Sequence, residues 1–211
     1  MSIPHWILIA CFGAFVGASL FMCARVAVSA RAFDPSKPRG SAWAGVAYSF
    51  TGAMSPLKKE SARRHWPTYL LGLFFHGGVF FAFAWLVALF LDTRAPLPLA
   101  RISAACLLAT ALCGAALLVK RIVKSNLRRL SCPDDYFSNM LVVGFQVLTA
   151  AAVVDASVTG ALFVYAAALF LYIPLGKLRH AIYFPLARIY LGEFFGRRGV
   201  WGAKRSGQWE A

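Results

Sequence analysis

Five apolar runs, at about 5–29, 67–91, 98–120, 137–155 and 158–188, are each long enough to cross a hydrocarbon core, which takes about 20 residues of helix. Nothing else in the chain constrains its fold as much. In lipid every backbone N–H and C=O must be satisfied within the structure, and runs of this length without alternation predict helices and exclude barrel strands. With 60% hydrophobic residues, 14% charged residues and 18 Phe in 211 positions, the chain has more apolar surface than a soluble domain of this size hides. The expected fold is an all-α integral membrane protein with five transmembrane helices.

A net charge of +14 could indicate nucleic acid, but the charges lie between the apolar runs and not along one face of a soluble fold. Topology accounts for them better, and no nucleic-acid partner is expected. The segment 31–66 carries Arg31, Lys37, Arg39, Lys58, Lys59, Arg63 and Arg64, and the loop after the third run carries Lys120, Arg121, Lys124, Arg128 and Arg129. More follow from Lys177 onward. Of the 22 basic residues, only Arg94 and Arg101 fall in the two remaining connections. Because Lys and Arg are retained on the cytoplasmic side, the amino terminus is expected outside and the carboxyl terminus inside a prokaryotic cytoplasmic membrane. A cleaved signal peptide competes for the first run, where Val28-Ser29-Ala30 resembles a cleavage site. Arg25 interrupts that run, no basic n-region precedes it, and cleavage would release a basic loop to the wrong side, so the first helix is expected to stay.

The parts outside the bilayer are short. Trp43, Val46, Ala47, Phe50 and Met54 recur at helical spacing after the Asp34-Pro35-Ser36-Lys37-Pro38 turn, which predicts an interfacial helix over about 42–54 in contact with membrane lipid. Residues 1–191 read as the transmembrane domain. Residues 192–211 read as a Gly-rich, basic and aromatic cytoplasmic tail that docks on another subunit. The five cysteines form no Cys-x-x-Cys pair and receive no role.

Ionisable groups inside membrane helices are rare and by default functional. His76 lies nine residues beyond Pro67, about 13 Å along a helix, and His180 lies eight residues before Arg188, about 12 Å. Two antiparallel helices would then present imidazoles at one depth, and an iron porphyrin ligated on both faces would satisfy both rings. Gly72 and Gly176 each precede a histidine by four residues and would leave a side-chain-free patch for a macrocycle edge. Phe80, Tyr183 and Phe184 would pack against it, with Pro174 and Pro185 bending the fifth helix. The plainer alternative is that each histidine only hydrogen-bonds a neighbouring helix; matched depth and matched glycines favour ligation. His65 reads as a surface residue, and His5 has no visible partner at its level.

Five further segments stand out: Phe74-Phe75-His76-Gly77-Gly78, Lys120-Arg121 through Leu127-Arg128-Arg129 to Asp134-Asp135-Tyr136, Gln146, Ile173-Pro174-Leu175-Gly176-Lys177-Leu178-Arg179-His180, and Gly196-Arg197-Arg198-Gly199-Val200-Trp201. Together they resemble the five-helix cytochrome b subunit that anchors respiratory nitrate reductase, the gamma subunit family, with the last segment closer to its heterodisulfide-reductase-associated branch. In that anchor each of the two ligand helices carries a second haem ligand, at positions that correspond here to Leu86 and Leu162. The resemblance therefore implies one b-type haem on the cytoplasmic side, with the outer haem lost together with both of its ligands. It also implies a cytoplasmic iron–sulfur subunit in a hetero-oligomeric complex.

A six-coordinate haem has no open position for oxygen chemistry and passes single electrons. The expected role is thus an electron-transfer subunit of a quinone-linked respiratory oxidoreductase. Arg121, Arg128, Lys177 and Arg179 are candidates to pair with the haem propionates. Trp85 and Arg101 are candidates for the quinone. A small transporter would also place polar residues in membrane helices, but no string of carboxylates or broken-helix repeat marks a path. A cofactor-free assembly or anchor protein would leave both histidines unexplained.

Overall fold

The computed structural model describes residues 2–29, 36–56 and 64–202; Arg31, Asp34, Pro35, Lys58, Lys59, Arg63 and the end of the tail lie outside the described residues. Its helices in chain order are α1 (Ile3–Val28), α2 (Ala42–Phe50), α3 (Trp66–Phe90), α4 (Leu97–Val123), α5 (Ser125–Arg129), α6 (Pro133–Val154), α7 (Thr159–Tyr172) and α8 (His180–Arg197), with short 3-10 turns at Gly52–Met54, Ala156–Val158 and Lys177–Arg179. No strand occurs among the described residues. Helices α1, α3, α4 and α6 are each long and apolar enough to cross a membrane, and the broken pair Ala156–Tyr172 and Lys177–Arg197 passes the same test jointly.

The chain divides into two compact units, one within Met1–Ser19 and Pro67–Arg179, the other within Leu20–Trp66 and His180–Ala211. In the first unit α4 packs along α6, and α6 against α7. Leu107, Phe145, Leu162 and Phe163 form its core, and small residues such as Ala104, Ala111 and Gly114 let the helices approach closely. Large apolar side chains such as Phe80, Ile102 and Leu112 remain exposed, as helices in lipid require. Only Leu8 of α1 is buried. His5, at its start, bonds Ser2 Oγ through Nδ1 at 2.8 Å and sits edge-on to Phe163 at 4.8 Å.

Local chemistry sets the helix ends. Pro133 opens α6, where its missing N–H costs nothing, and the Asp135 carboxylate accepts from the Cys132 N–H at 2.9 Å to complete a capping box. Between α6 and α7, Asp155 accepts from the Ser157 N–H at 2.9 Å. Hydrogen bonds from the Ser157 hydroxyl, and then from that N–H, hold the Asp155 carboxyl below its ordinary value.

The fifth run departs from the expected single helix over 158–188. Pro174 lacks the N–H that would continue α7, and its ring clashes with the preceding turn. The Tyr172 carbonyl instead accepts from both Leu175 N–H and Gly176 N–H, at 3.0 and 2.9 Å. Asp134 then secures the break, accepting from the Tyr172 hydroxyl and from the Lys177 N–H at 2.8 Å. Pro185, in contrast, stays inside α8.

In the second unit α2 follows its expected position and is capped by Ser41, whose Oγ accepts from the Ala44 N–H at 3.3 Å. The face it buries is not the aromatic stripe: Gly45 and Ser49 are buried, while Trp43 is 83% exposed. Gly45 meets the backbone of Gly192 and Gly196, so close that no Cβ would fit. The Ser49 hydroxyl donates to the Arg188 carbonyl at 2.8 Å. Of residues 192–211, expected as a docking tail, Gly192 to Arg197 continue α8, which packs on α2 of its own chain, and Trp201 lies beside Tyr48 at 5.8 Å.

Candidate functional site

Helix α3 presents Gly72, His76 and Phe80 at four-residue intervals, on one stripe. Phe75, Gly78, Ala82, Leu86 and Leu89 are its buried residues. His76 is exposed, and its Nδ1 lies 2.7 Å from the Gly72 carbonyl oxygen. A carbonyl only accepts, so Nδ1 carries the proton and, in the neutral ring, Nε2 carries the lone pair. A Cβ at Gly72 or at Gly77 would meet nothing within 4 Å, and Phe80 is 73% exposed. The helix surface around His76 is thus free of Cβ atoms at Gly72 and Gly77 and carries the exposed Phe80 ring one turn on.

The α3 backbone beside His76 is tied from the opposite side. Gln146 of α6, fully buried, donates from Nε2 to the Phe75 carbonyl at 3.0 Å, and its Oε1 lies 3.2 Å from Thr110 Oγ1 of α4. The Phe75 ring fills the space over Gly114, and Thr110 fills the space over Gly78. In the sequence Gln146 stood out only as a motif residue, and Thr110 not at all. A buried amide in an apolar helix must find partners, which was the available signal.

His180 belongs to the second unit, as the first residue of α8, and is exposed. It follows the break after Tyr172 and opens a separate helix that also holds Arg188, and so does not lie inside one straight helix over 158–188. Gly176 is corrected likewise. It lies in the break before α8, is buried, and a Cβ there would fall on the Tyr172 ring. Its missing side chain seats Tyr172 and leaves no patch on the face of His180. Tyr183 and Phe184 follow on the first turn of α8; Phe184 meets Phe50 of α2 edge-on at 6.5 Å and lies under Arg188 at 5.2 Å.

Of the four candidate propionate partners, two are already engaged. Lys177 Nζ lies 2.7 Å and an Arg121 guanidinium nitrogen 3.4 Å from the Asp135 carboxylate, and Arg121 also donates to Ser131 Oγ at 2.9 Å. Arg128 donates to the Ile122 carbonyl at 3.1 Å on an exposed surface. Arg179 is exposed at the end of its 3-10 turn.

At the far end of α3, an open groove of about 490 Å³ is lined by Phe81, Trp85, Thr93, Arg94, Leu99 and Ser103, among others. The Trp85 Nε1 is buried and has no hydrogen-bond acceptor among the described residues. Arg94 donates to Thr159 Oγ1 at 3.2 Å and lies 3.4 Å from the Ala152 carbonyl. The cation in this groove is thus Arg94; Arg101 is exposed on α4 and is not among its lining residues. Leu86 and Leu162, where the resembled anchor holds its second ligand pair, are 4% and 0% exposed in the core of the first unit. No family model, curated protein or solved structure matches the chain.

Proposed function

We propose that this chain is the membrane-anchoring b-type cytochrome subunit of a respiratory complex in a prokaryotic cytoplasmic membrane. It passes electrons between the quinone pool and a cytoplasmic iron–sulfur subunit through one haem held by His76 and His180. The observation that carries the reading is the bond from His76 Nδ1 to the Gly72 carbonyl, which orients the imidazole on an exposed stripe of α3 where Gly72 and Gly77 carry no side chain. Metal-ligating histidines are oriented in this way by a second hydrogen bond from the other ring nitrogen.

When bound, the haem supplies a one-electron couple. Phe80 would pack beside it on the His76 side, and Tyr183 and Phe184 would do so on the His180 side. Asp135 compensates Lys177 and Arg121, so Arg128 and Arg179 are the cations left for the propionates. The leucines at 86 and 162, which offer no ligand atom and are buried in the core of the first unit, support a single haem. The groove at Trp85 supports a quinone headgroup, whose carbonyl would accept from the indole N–H. Trp85 follows His76 by nine residues, about 14 Å along α3.

Reduced-minus-oxidised absorption of the full chain purified in mild detergent tests the proposal. A b-type spectrum in the wild type supports it. A preparation without haem bands, from cells supplied with haem, favours a cofactor-free anchor or a small transporter.

A further inference from the structure

We propose that Gln146 is the positioning residue for His76: its buried amide fixes the rotation of α3 about its own axis, and with it the direction in which the imidazole leaves the helix. This deepens the haem reading and rests on it.

The Phe75 carbonyl already belongs to the α3 backbone, where a helical carbonyl accepts from the N–H four residues on. Gln146 Nε2 adds a second donor at 3.0 Å. Because the carbonyl can only accept, this contact settles which end of the amide faces α3, and Oε1 is turned toward Thr110 on α4. Thr110 has one proton for two acceptors, Gln146 Oε1 at 3.2 Å and the Leu107 carbonyl at 2.9 Å, so it stays beside the amide whichever it serves.

Packing enforces the same register. The Phe75 ring sits over Gly114 of α4, and Gly78 admits Thr110. All of these contacts lie on the buried side of α3 and involve Phe75 or the residue three places after it. His76 follows Phe75 by one residue, about 100° further round the helix. Turning α3 to break the Gln146 contact would turn the His76 ring by the same angle. In hydrocarbon no water competes for the Phe75 carbonyl, so the amide has the backbone to itself.

The test uses the full chain with its haem, comparing Gln146→Leu and Gly114→Ala with Thr149→Val. Thr149 is an equally buried polar residue on the same helix, and its hydroxyl bonds the Phe145 carbonyl of its own helix at 2.7 Å. The readouts are the electron paramagnetic resonance g values of the oxidised haem, which respond to the orientation of axial imidazoles, and the midpoint potential. Gln146→Leu is expected to retain haem and shift both; Gly114→Ala, which displaces the Phe75 ring, is expected to shift the g values; Thr149→Val is expected to shift neither. If Gln146→Leu does not fold, Gly114→Ala carries the test, and unshifted g values there overturn the inference. Haem in the wild type with Gln146→Leu indistinguishable from Thr149→Val overturns this inference alone. A wild type without haem overturns the reading beneath it as well.

Discussion

The Nδ1 of His76 donates to the carbonyl of Gly72, one helical turn earlier, at 2.7 Å. The bond fixes a tautomer within a single helix, so it does not depend on where any other element lies. It also makes the two glycines that precede the histidines unequal.

Gly72→Leu is expected to leave the fold intact, because the Cβ enters open space, and to reduce the haem-to-protein ratio at least several-fold by covering the face beside His76. Gly176→Ala is expected to do the reverse. Its Cβ would displace the Tyr172 ring, an overpacking that costs about 1–3 kcal/mol. Thermal unfolding in detergent, read alongside haem content, separates the two.

Asp135→Ala removes the N3 carboxylate that accepts from the Cys132 N–H in the α6 capping box and leaves Lys177 and Arg121 without their shared carboxylate. Loss of one such charge-assisted hydrogen bond costs about 1.5–3 kcal/mol. The expected result is a lower unfolding temperature, with Asp135→Asn in between because its amide oxygen still accepts from the Cys132 N–H.

Trp85→Phe keeps a ring in the groove and deletes its buried N–H, which has no acceptor among the described residues. Reduction of the haem by a quinol analogue is expected to slow by roughly tenfold, the range of one lost hydrogen bond. Reduction by dithionite should be unchanged. Equal quinol rates in the two proteins would remove Trp85 from the quinone site.

Gly45→Val places a branched side chain where the Gly192 and Gly196 backbones pass. The α2–α8 pairing should loosen, seen as faster hydrogen exchange in both helices, while the amides of α4 and α6 keep their protection. Uniform exchange changes across the chain would contradict separate units.

The spans of α1, α3, α4 and α6 were legible because length and apolarity alone decide what can cross a bilayer, and their ends fell within a few residues of the runs read from sequence. The break after Tyr172 was only half legible. Pro174 was visible, but a proline inside a helix can also be tolerated, as Pro185 is in α8. What decided between the two was Asp134, distant in sequence, which grips Tyr172 and Lys177. The paired Gly72 and Gly176 misled for a related reason: a four-residue interval means a shared face only inside one helix, and Gly176 and His180 are not in one. The packing of Gly45 on Gly192 and Gly196 left no periodic signal, since small residues mark a close approach without naming the partner.

Ligation of one iron by His76 and His180, as proposed, is read by low-temperature electron paramagnetic resonance of the oxidised full chain. One low-spin, bis-imidazole signal is expected in the wild type, absent or converted to high spin in both His76→Ala and His180→Ala. A wild type with no such signal, or one that survives either substitution, would contradict it.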